Sequence, residues 1–544
     1  MGTKDKAPVN NGATPVKHIV YLMLENRSLD NVLGWLYTDG QSPFPKVIYL
    51  PSKVIAPPGN TSAYYGLREN TYYNLDSNGD KRWVTRGTRD DDRPLFVPYE
   101  DPYEDYLHIN NQLFESESNP AFGELPTMGG FYKDFASGLP AEPWQIMQTY
   151  TPIQLAVLNG AALNWAVSDA YFSSVPTQTN CNRAFAATGN SIAPDPSNES
   201  QLIGWVNNNM GGGWDPYKNN LVFNQRTMFN VLYDAGKQST DDWMIFATET
   251  WENGYCFTRD ILGHLHDKKY DSHFDSIEAF FDRATKKDGL PSVCFLEPKW
   301  GYAYVEPFGA QGTDYHPPMN VAPGEDFVAK ILNALQSSAN WNEILFIINF
   351  DEHGGTYDHV PPPWIGKAAV PWGGDSATPT PAMCEHDFGF DRFGVRVPLI
   401  LVSPYIDMNT VFRADGKTPY DHTSVIATIL KMMGIPKNTW QLGNRVDNAP
   451  TFEEILTRTT PRTDKIDFQP SAAAKATINS GLKMDPPPSD LQREIAFRVM
   501  RHHLKQGKTA DEKSFRDIGA PLAEAKTISG LRKALAEAIA KKVV

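Results

Sequence analysis

The stretch VYLMLENRSLDNVLGWL, residues 20–36, changes from a continuous apolar run to polar side chains within a few positions. Residues 20–24 are all apolar, which is typical of a strand covered on both faces in a parallel α/β sheet. Glu25 and Asn26 follow at the point where such a strand would end. Ligands bind at the carboxyl ends of the strands in these sheets, so this polar end is the first candidate for a functional site.

Other segments repeat the pattern of an apolar run that stops at polar residues. Residues 324–338 carry apolar side chains at helical spacing just before one of these runs, as a crossover helix would. The sequence therefore predicts an α/β fold with a mainly parallel central sheet. The further apolar runs cover residues 242–250, 291–298, 343–355 and 397–405.

The remaining chain divides by composition. Residues 37–140 are rich in Pro, Gly, Asn and Tyr, and we interpret them as a long insertion that decorates the sheet. Residues 357–395 also contain many Pro and Gly, and we interpret them as an ordered loop over the strand ends. After about residue 460, a capping-box spacing at Ser489 and Gln492 and two apolar stripes predict two helices. We predict a catalytic domain over 1–460 and a helical extension over 461–544.

Composition limits the function classes. The chain has 544 residues, 41% of them hydrophobic, which suits a globular protein with a large core. A net charge of −14 argues against a nucleic-acid binder. No segment has the length of a membrane span and the start lacks the apolar core of a secretory signal, so we expect a soluble cytoplasmic protein, or a secreted one if a leader was removed.

Acidic side chains end several of the predicted strands. Besides Glu25 and Asn26, Glu297 ends one run, and Asp351 and Glu352 end the most apolar one. Carboxylates gathered at one sheet edge repel each other unless a cation neutralises them, which favours a divalent metal site. Such oxygen ligands suit calcium, magnesium or manganese, and nearby histidines keep zinc open.

A simpler interpretation exists for the first of these strand ends. Ser28 is a good N-cap residue and Asp30 suits the first turn of a helix. For the ENRS tetrapeptide alone helix capping is favoured, whereas the metal site is favoured for the whole set of strand ends.

Residues 168–191 contain candidate nucleophiles. Thr177, Thr179 and Ser173 all lie in a turn before a helical pattern, and Thr179 stands where the helix would begin. Helix N-termini favour anions, so a hydroxyl there could be activated, with Asn182 and Arg183 holding phosphate oxygens. A capping threonine followed by a surface arginine explains this stretch alone about equally well.

Histidines occur beside aspartates in three loops. The pairs are Asp314/His316, Asp358/His359 and Asp421/His422. Such histidines can ligate metal, bind phosphate or protonate a leaving group.

Together these motifs resemble a known family. HIVYLMLENRSLDNVLG, SDAYFSSVPTQTNCNRAFAATGN, TDYHPP, FIINFDEHGGTYDHVPPP, VPLILVSPY and YDHTSVIATIL resemble the phosphoesterase family of bacterial phosphatidylcholine-preferring phospholipases C, plant non-specific phospholipases C and acid phosphatase A. The resemblance runs from about residue 17 to 435. It implies an alkaline-phosphatase-like α/β/α sandwich.

The resemblance also implies roles for individual residues. Thr179 matches the nucleophile, and a metal site would contain Glu25, Asn26, Asp351, Glu352 and Thr179. Asn182, Arg183 and His422 match substrate-binding positions, and His316 and His359 match proton donors or phosphate contacts.

Two positions depart from the family pattern. Thr177 stands in the turn as a rival nucleophile. Where the family tends to have a histidine, this chain has Glu104, with His108 nearby.

The resulting expectation is a metal-dependent phosphoric ester hydrolase, a phospholipase C acting through a phospho-threonine intermediate. An acid phosphatase on soluble esters is the alternative, and a non-catalytic protein that binds phosphorylated ligands is a third. The substrate would be a phospholipid or a small phosphate ester. Transient contact of the protein with a membrane surface is one expectation for its partners, and the sequence does not give the oligomeric state. Aromatic residues that could line an apolar approach are Trp35, Tyr64, Tyr65, Trp144, Trp300, Tyr302, Tyr304, Trp364 and Trp372.

Overall fold

A computed structural model describes most of the chain. The described residues are 16–37, 53–55, 64–88, 95–195, 198–208, 221–247, 255–301, 312–365, 383–414, 418–480, 487–505 and 512–540. Parts of the predicted insertion and loops, with Tyr302, Tyr304 and Trp372, lie outside these ranges.

A nine-stranded sheet forms the centre of the molecule. Its order is β11-β10-β12-β1-β13-β14-β7-β15-β2, and all neighbouring pairs are parallel except the two that include β14. The strands are β1 (His18–Leu24), β2 (Lys53–Ile55), β3 (Tyr73–Leu75), β4 (Lys81–Trp83), β5 (Thr85–Arg86), β6 (Gln148–Thr149), β7 (Ala166–Ser168), β8 (Ile192–Asp195), β9 (Asn198–Gly204), β10 (Trp243–Ala247), β11 (Phe274–Ser276), β12 (Val293–Glu297), β13 (Ile344–Phe350), β14 (Leu399–Val402) and β15 (Thr410–Phe412).

The apolar runs became the strands of this sheet. Every residue of β1 and of β13 is buried, as expected for strands covered on both faces. The predicted α/β class with a mainly parallel sheet is confirmed. The run at 397–405 differs in direction, since β14 is antiparallel to both of its neighbours.

Helices cover the sheet. They are α1 (Leu29–Leu33), α2 (Tyr106–Phe114), α3 (Phe131–Ser137), α4 (Ala156–Asn164), α5 (Thr179–Thr188), α6 (Met228–Asp234), α7 (Phe257–Ile261), α8 (Ile277–Ala284), α9 (Ala322–Ser337), α10 (His422–Met432), α11 (Asn444–Asp447), α12 (Ala472–Ser480), α13 (Asp490–Lys505), α14 (Glu512–Ala523) and α15 (Ile528–Ala540). The crossover helix predicted at 324–338 is α9, which connects β12 to β13 past β1.

The insertion does more than decorate the sheet. Its segment β2 pairs with β15 at the edge of the central sheet. Its helices α2 and α3 pack together over a second apolar cluster that includes Trp35 and Tyr357. The described part of the predicted insertion thus contributes an edge strand to the sheet as well as helices that cover it.

The C-terminal extension packs against the main body. Ser489 and Gln492 form the predicted capping box, with each backbone N–H bound to the other's side chain at 2.9 and 3.1 Å. Leu491 and Ile495 of α13 belong to the same apolar core as β1. In the part of the chain that the structure describes, four helices follow residue 460 rather than the two that were predicted. Among the described residues, no helix has the length and apolar character needed to cross a membrane.

Candidate active site

The ends of β1 and β13 place four of the predicted metal-site residues together. These strands are parallel neighbours, with Leu24 opposite Phe350, so the residues that follow them share one sheet edge. The backbone N–H of Asn26 donates to Oδ1 of Asp351 at 3.1 Å. Glu25, Asp351 and Glu352 are fully buried beside it.

A tight backbone approach holds the two strand ends together. Asn26 adopts φ +53°, a left-handed conformation that asparagine tolerates better than most residues. Gly354 has φ +59°, and a Cβ at this position would lie 2.4 Å from the carbonyl oxygen of Asn26. Only glycine lets the loop after β13 approach Asn26 this closely.

Thr179 lies against this strand-end cluster. It is the first residue of α5, and its Oγ1 donates to Oε1 of Glu25 at 2.6 Å. The same oxygen is 3.3 Å from Oδ1 of Asn26. The rival hydroxyl of Thr177 is instead 3.5 Å from Oδ1 of Asn207. The geometry therefore favours Thr179 over Thr177 as the nucleophile.

Arg183 lies one helical turn after Thr179 and neutralises part of the acidic cluster. Its Nε is 3.1 Å from Oε2 of Glu25 and 2.9 Å from Oδ2 of Asp351, and its Nη2 also pairs with Glu25. The guanidinium lies over the ring of Trp300, 4.7 Å from its centre. Within the described residues its Nη1 has no hydrogen-bond partner although it is buried. One donor of Arg183 thus remains for a ligand.

Glu104 and His316 extend the cluster on its other side. The side-chain amide of Asn26 donates to Glu104 and to Nε2 of His316, the second at 2.9 Å. His108 instead contacts Asp134 at 2.8 Å, away from the cluster. Of the two candidates Glu104 and His108, Glu104 is the one that contacts Asn26 of the strand-end cluster.

Burial and mutual repulsion change the ionisation of these acids. The pKa values of Glu25, Glu104 and Glu352 lie well above the usual range, first because burial disfavours the charged forms and then because neighbouring carboxylates repel. Oε1 of Glu352 is buried without a hydrogen-bond partner among the described residues. Crowded carboxyl oxygens, one of them without a hydrogen-bond partner, fit a hard divalent cation.

His316 has its tautomer fixed by its surroundings. Its Nδ1 contacts the carbonyl oxygen of Pro317, so Nε2 accepts from Asn26. Burial lowers the pKa of His316 to about 4. The imidazole in this structure is therefore neutral near pH 7.

His359 belongs to a different cluster. Its Nδ1 lies 2.6 Å from Oδ2 of Asp30, and its ring stacks on Tyr72. Arg396 pairs with Asp30 at 3.0 Å and with Asp358 at 2.9 Å. Ligand atoms of Asp30, Asp358 and His359 lie close enough to be a second candidate metal group, but Arg396 already neutralises its acids. Sequence reasoning did not foresee this group.

Two predicted substrate-binding residues have structural contacts instead. The amide of Asn182 binds the backbone of Val175 and Thr177 and so shapes the turn before α5. His422 is fully buried, and its Nε2 donates to the carbonyl oxygen of Asp351 at 2.6 Å. The polar atoms of Asn182 and His422 are thus used to position other residues, and direct phosphate contact by either residue stays a prediction.

Glu297 also stays out of the cluster. Its oxygens accept from the backbone N–H groups of Phe257 and Thr258, at 2.9 and 2.8 Å, and from Trp300 at 3.0 Å. It therefore caps the start of α7 and positions the Trp300 ring beneath Arg183.

The C-terminal extension touches the nucleophile helix. Nδ2 of Asn180, the residue after Thr179, donates to Oε1 of Glu494 on α13 at 2.8 Å. Glu494 in turn accepts from Nε of Arg498 at 2.8 Å. No motif in the sequence pointed to this contact, because it joins residues more than 300 positions apart.

Comparison with known proteins identifies the group to which this site belongs. The profile of the Phosphoesterase family matches residues 16–436, which includes every residue of the strand-end cluster. The chain belongs to the phosphoesterase family. The phosphoesterase motifs thus coincide with the cluster around Glu25, Thr179 and Asp351.

Relatives within and near this family are phospholipases by name. Non-specific phospholipase C3 of Arabidopsis thaliana is 30% identical over 538 residues, which cover 95% of this chain and 89% of that protein. Hemolytic phospholipase C of Pseudomonas aeruginosa is 27% identical over 298 residues, 50% of this chain and 37% of that protein. A solved structure from Vibrio parahaemolyticus, described as an alkaline phosphatase superfamily protein, has 11% identity and a TM-score of 0.29 over 56% of this chain and 66% of that one.

Proposed function

We propose that this protein is a phosphoric ester hydrolase of the phospholipase C type. The observation that carries the proposal is the 2.6 Å hydrogen bond from Thr179 Oγ1 to Glu25 inside a buried acidic cluster that a phosphoesterase profile spans. The relatives named phospholipase C support the choice of a lipid phosphodiester as substrate. The products would be diacylglycerol and a phosphorylated head group.

We also propose that the cluster holds a divalent metal ion. Glu25, Asn26, Thr179, Asp351 and Glu352 are the residues that would hold it, and the unpaired, buried Oε1 of Glu352 supports this assignment. A divalent ion there would supply positive charge to the reacting phosphate and to the threonine oxygen.

The residues of the chain have separate tasks in the first step. The Thr179 hydroxyl already donates to Glu25, so its proton has an acceptor when the oxygen attacks phosphorus. The Oγ1–P bond forms as the bond from phosphorus to the diacylglycerol oxygen breaks. The unpaired Nη1 of Arg183 can donate to a phosphate oxygen and take up part of the developing charge.

A second step restores the enzyme. Water attacks phosphorus, the Oγ1–P bond breaks, and the phosphorylated head group leaves while Thr179 recovers its proton. The diacylglycerol oxygen takes up a proton from water as it leaves. His316 keeps its Nδ1–H on the carbonyl oxygen of Pro317 and accepts from Asn26 through Nε2, so we assign it the role of holding Asn26 beside Thr179.

The test compares two substrates and two variants. The protein should release diacylglycerol from phosphatidylcholine faster than phosphate from p-nitrophenyl phosphate. Thr179→Ala should lose this activity by a factor of about a thousand or more, while the matched Thr177→Ala should keep most of it. Faster turnover of the monoester would favour an acid phosphatase, and loss of activity in Thr177→Ala alone would move the nucleophile.

Removal of divalent ions provides an independent check on the metal. Without a cation, the carboxylates of Glu25, Glu104 and Glu352 repel each other, so a chelator should lower the apparent Tm and abolish turnover. Calcium, magnesium, manganese and zinc are then added back singly, and the ion that restores both quantities is identified. An unchanged Tm and full activity after chelation would refute the metal assignment.

A further inference from the structure

A compact loop follows α2 and projects from the surface. The carbonyl oxygen of Leu113 accepts from the N–H groups of Thr127 and Met128, at 2.8 and 3.1 Å. These bonds bring the two ends of residues 115–127 together, as in an Ω-loop. We call residues 115–127 the projecting loop.

The tip of the projecting loop exposes two large apolar side chains. Phe122 is 63% exposed and Leu125 is 81% exposed. A turn fixes them there, because the N–H of Glu124 donates to the carbonyl of Ala121 at 2.9 Å and Gly123 has φ +86°. The apolar tip is thus built into the loop by its turn.

Hydrogen bonds and one ring contact hold the tip of the projecting loop in place. The Glu124 carboxylate accepts from the N–H of Ala121 at 3.0 Å, which turns it back onto its own turn. The indole N–H of Trp364 donates to the carbonyl of Glu124 at 2.8 Å, and the Trp364 ring packs against Phe122 with centroids 5.0 Å apart. Trp364 therefore supports the tip from the loop after β13.

The projecting loop is linked through Tyr106 and Asn207 to the turn before Thr179. Oδ1 of Asn119 accepts from the Tyr106 hydroxyl at 2.8 Å. The backbone N–H of Tyr106 donates to Asn207, which also contacts Thr177 in the turn before Thr179. A short chain of contacts therefore joins the loop to the turn that carries the nucleophile.

We propose that Phe122 and Leu125 insert into a zwitterionic lipid surface and bring the active site against the membrane. The inference rests on the proposed function, since a phospholipase C must reach substrate that lies in a lipid surface. Residues 115–127 contain three glutamates and neither lysine nor arginine, so attraction to anionic lipid does not explain the loop. Two rigidly held apolar side chains on a loop that is linked to the turn before Thr179 suit shallow insertion among uncharged head groups.

Binding to vesicles tests this inference separately from catalysis. The full chain is sedimented with phosphatidylcholine vesicles, and the double variant Phe122→Ser/Leu125→Ser should bind at least about tenfold more weakly. Ile478→Ser removes an apolar side chain that is 38% exposed on α12 and should bind as the wild type does. Raising the salt concentration should not weaken binding.

Soluble substrate separates failure of the inference from failure of the proposed function. Short-chain phosphatidylcholine below its micelle concentration should be hydrolysed equally by the wild type and the double variant. Equal vesicle binding by both proteins, no binding by the wild type, or binding only to anionic vesicles would overturn the lipid assignment. If vesicle binding depends on Phe122 and Leu125 but neither substrate releases diacylglycerol, the proposed function is refuted and the membrane-binding inference stands.

Discussion

At the residue scale, two neighbouring threonines show what the sequence could and could not resolve. Thr177 and Thr179 lie in the same turn, and their residue types do not distinguish them. The structure does, because the first turn of α5 directs Thr179 Oγ1 to Glu25 while Thr177 contacts Asn207. In contrast, the proximity of the acids at the strand ends was predictable, because the carboxyl ends of parallel strands lie at the same edge of a sheet.

The contacts of the three histidines could not be predicted from the residues next to them in the sequence. His316, His359 and His422 each follow an aspartate by one or two residues, and this local pattern does not separate their roles. Their partners come from distant segments, namely Asn26, Asp30 and the carbonyl of Asp351. Only the folded chain distinguishes the three roles.

A pair of histidine variants tests this distinction. His316 contacts Asn26, which contacts Thr179, so His316→Ala should lower kcat about a hundredfold, because Asn26 loses a partner that holds it beside the nucleophile. His359 is held by Asp30, so His359→Ala should lower kcat less than about tenfold and act chiefly on stability. Steady-state kinetics and melting curves of both variants check the prediction. A larger loss of kcat in His359→Ala would reverse the assignment.

At the element scale, the long apolar strands and α9 were predictable from their pattern, and the direction of β14 was not. A continuous apolar run such as Leu399–Val402 fits a buried strand of either direction. Glu104 was indicated only by the resemblance to the family, because its contact with Asn26 depends on tertiary packing.

The contact between α5 and α13 gives an element-scale prediction. Glu494→Gln weakens the link that holds Asn180 beside the nucleophile, so kcat should fall severalfold. The matched control is Asp260→Asn, which removes another partner of Arg498, 3.0 Å away, but keeps the bond between Asn180 and Glu494. Both variants should lose stability, by about 1–3 kcal/mol, and the first alone should lose turnover. Equal kcat in the two variants would show that α13 has a stabilising role only.

At the scale of the whole molecule, the predicted boundary near residue 460 does not interrupt the core. Ile495 of α13 and Ile19 of β1 are buried in one continuous apolar cluster. Composition had suggested an appended extension, since the surface of these helices is rich in Lys, Glu and Ala. The physical reason for the difference is that the inward faces of the helices decide packing, and their outward faces dominate composition.

A buried acid on α9 gives a prediction for the pH dependence of stability. Glu325 accepts from the N–H groups of Val157 and Leu158, yet burial raises its pKa from 4.5 to about 7. The folded state therefore keeps a proton that the unfolded state releases above pH 4.5. The contribution of Glu325 to the free energy of unfolding is complete below pH 4.5 and is lost as the pH rises to about 7. A pKa difference of roughly 2.5 units corresponds to a loss of about 3 kcal/mol.

Glu325→Gln removes this titration. The apparent Tm of the wild type, measured relative to that of the variant, should decrease between pH 5 and pH 8. Melting curves of both proteins across this range provide the measurement. A difference in Tm that stays constant with pH would show that Glu325 does not titrate in this window.

The central claim is that Thr179 becomes covalently bound to the phosphoryl group during turnover. The most direct measurement is rapid quenching of the reaction with phosphatidylcholine, followed by mass analysis of the peptides that contain residues 168–191. The account predicts a phosphorylated head group on Thr179 that appears with the first turnover and is absent in Thr179→Ala. An adduct on Thr177 or another residue, or steady turnover with no adduct on Thr179, would contradict it.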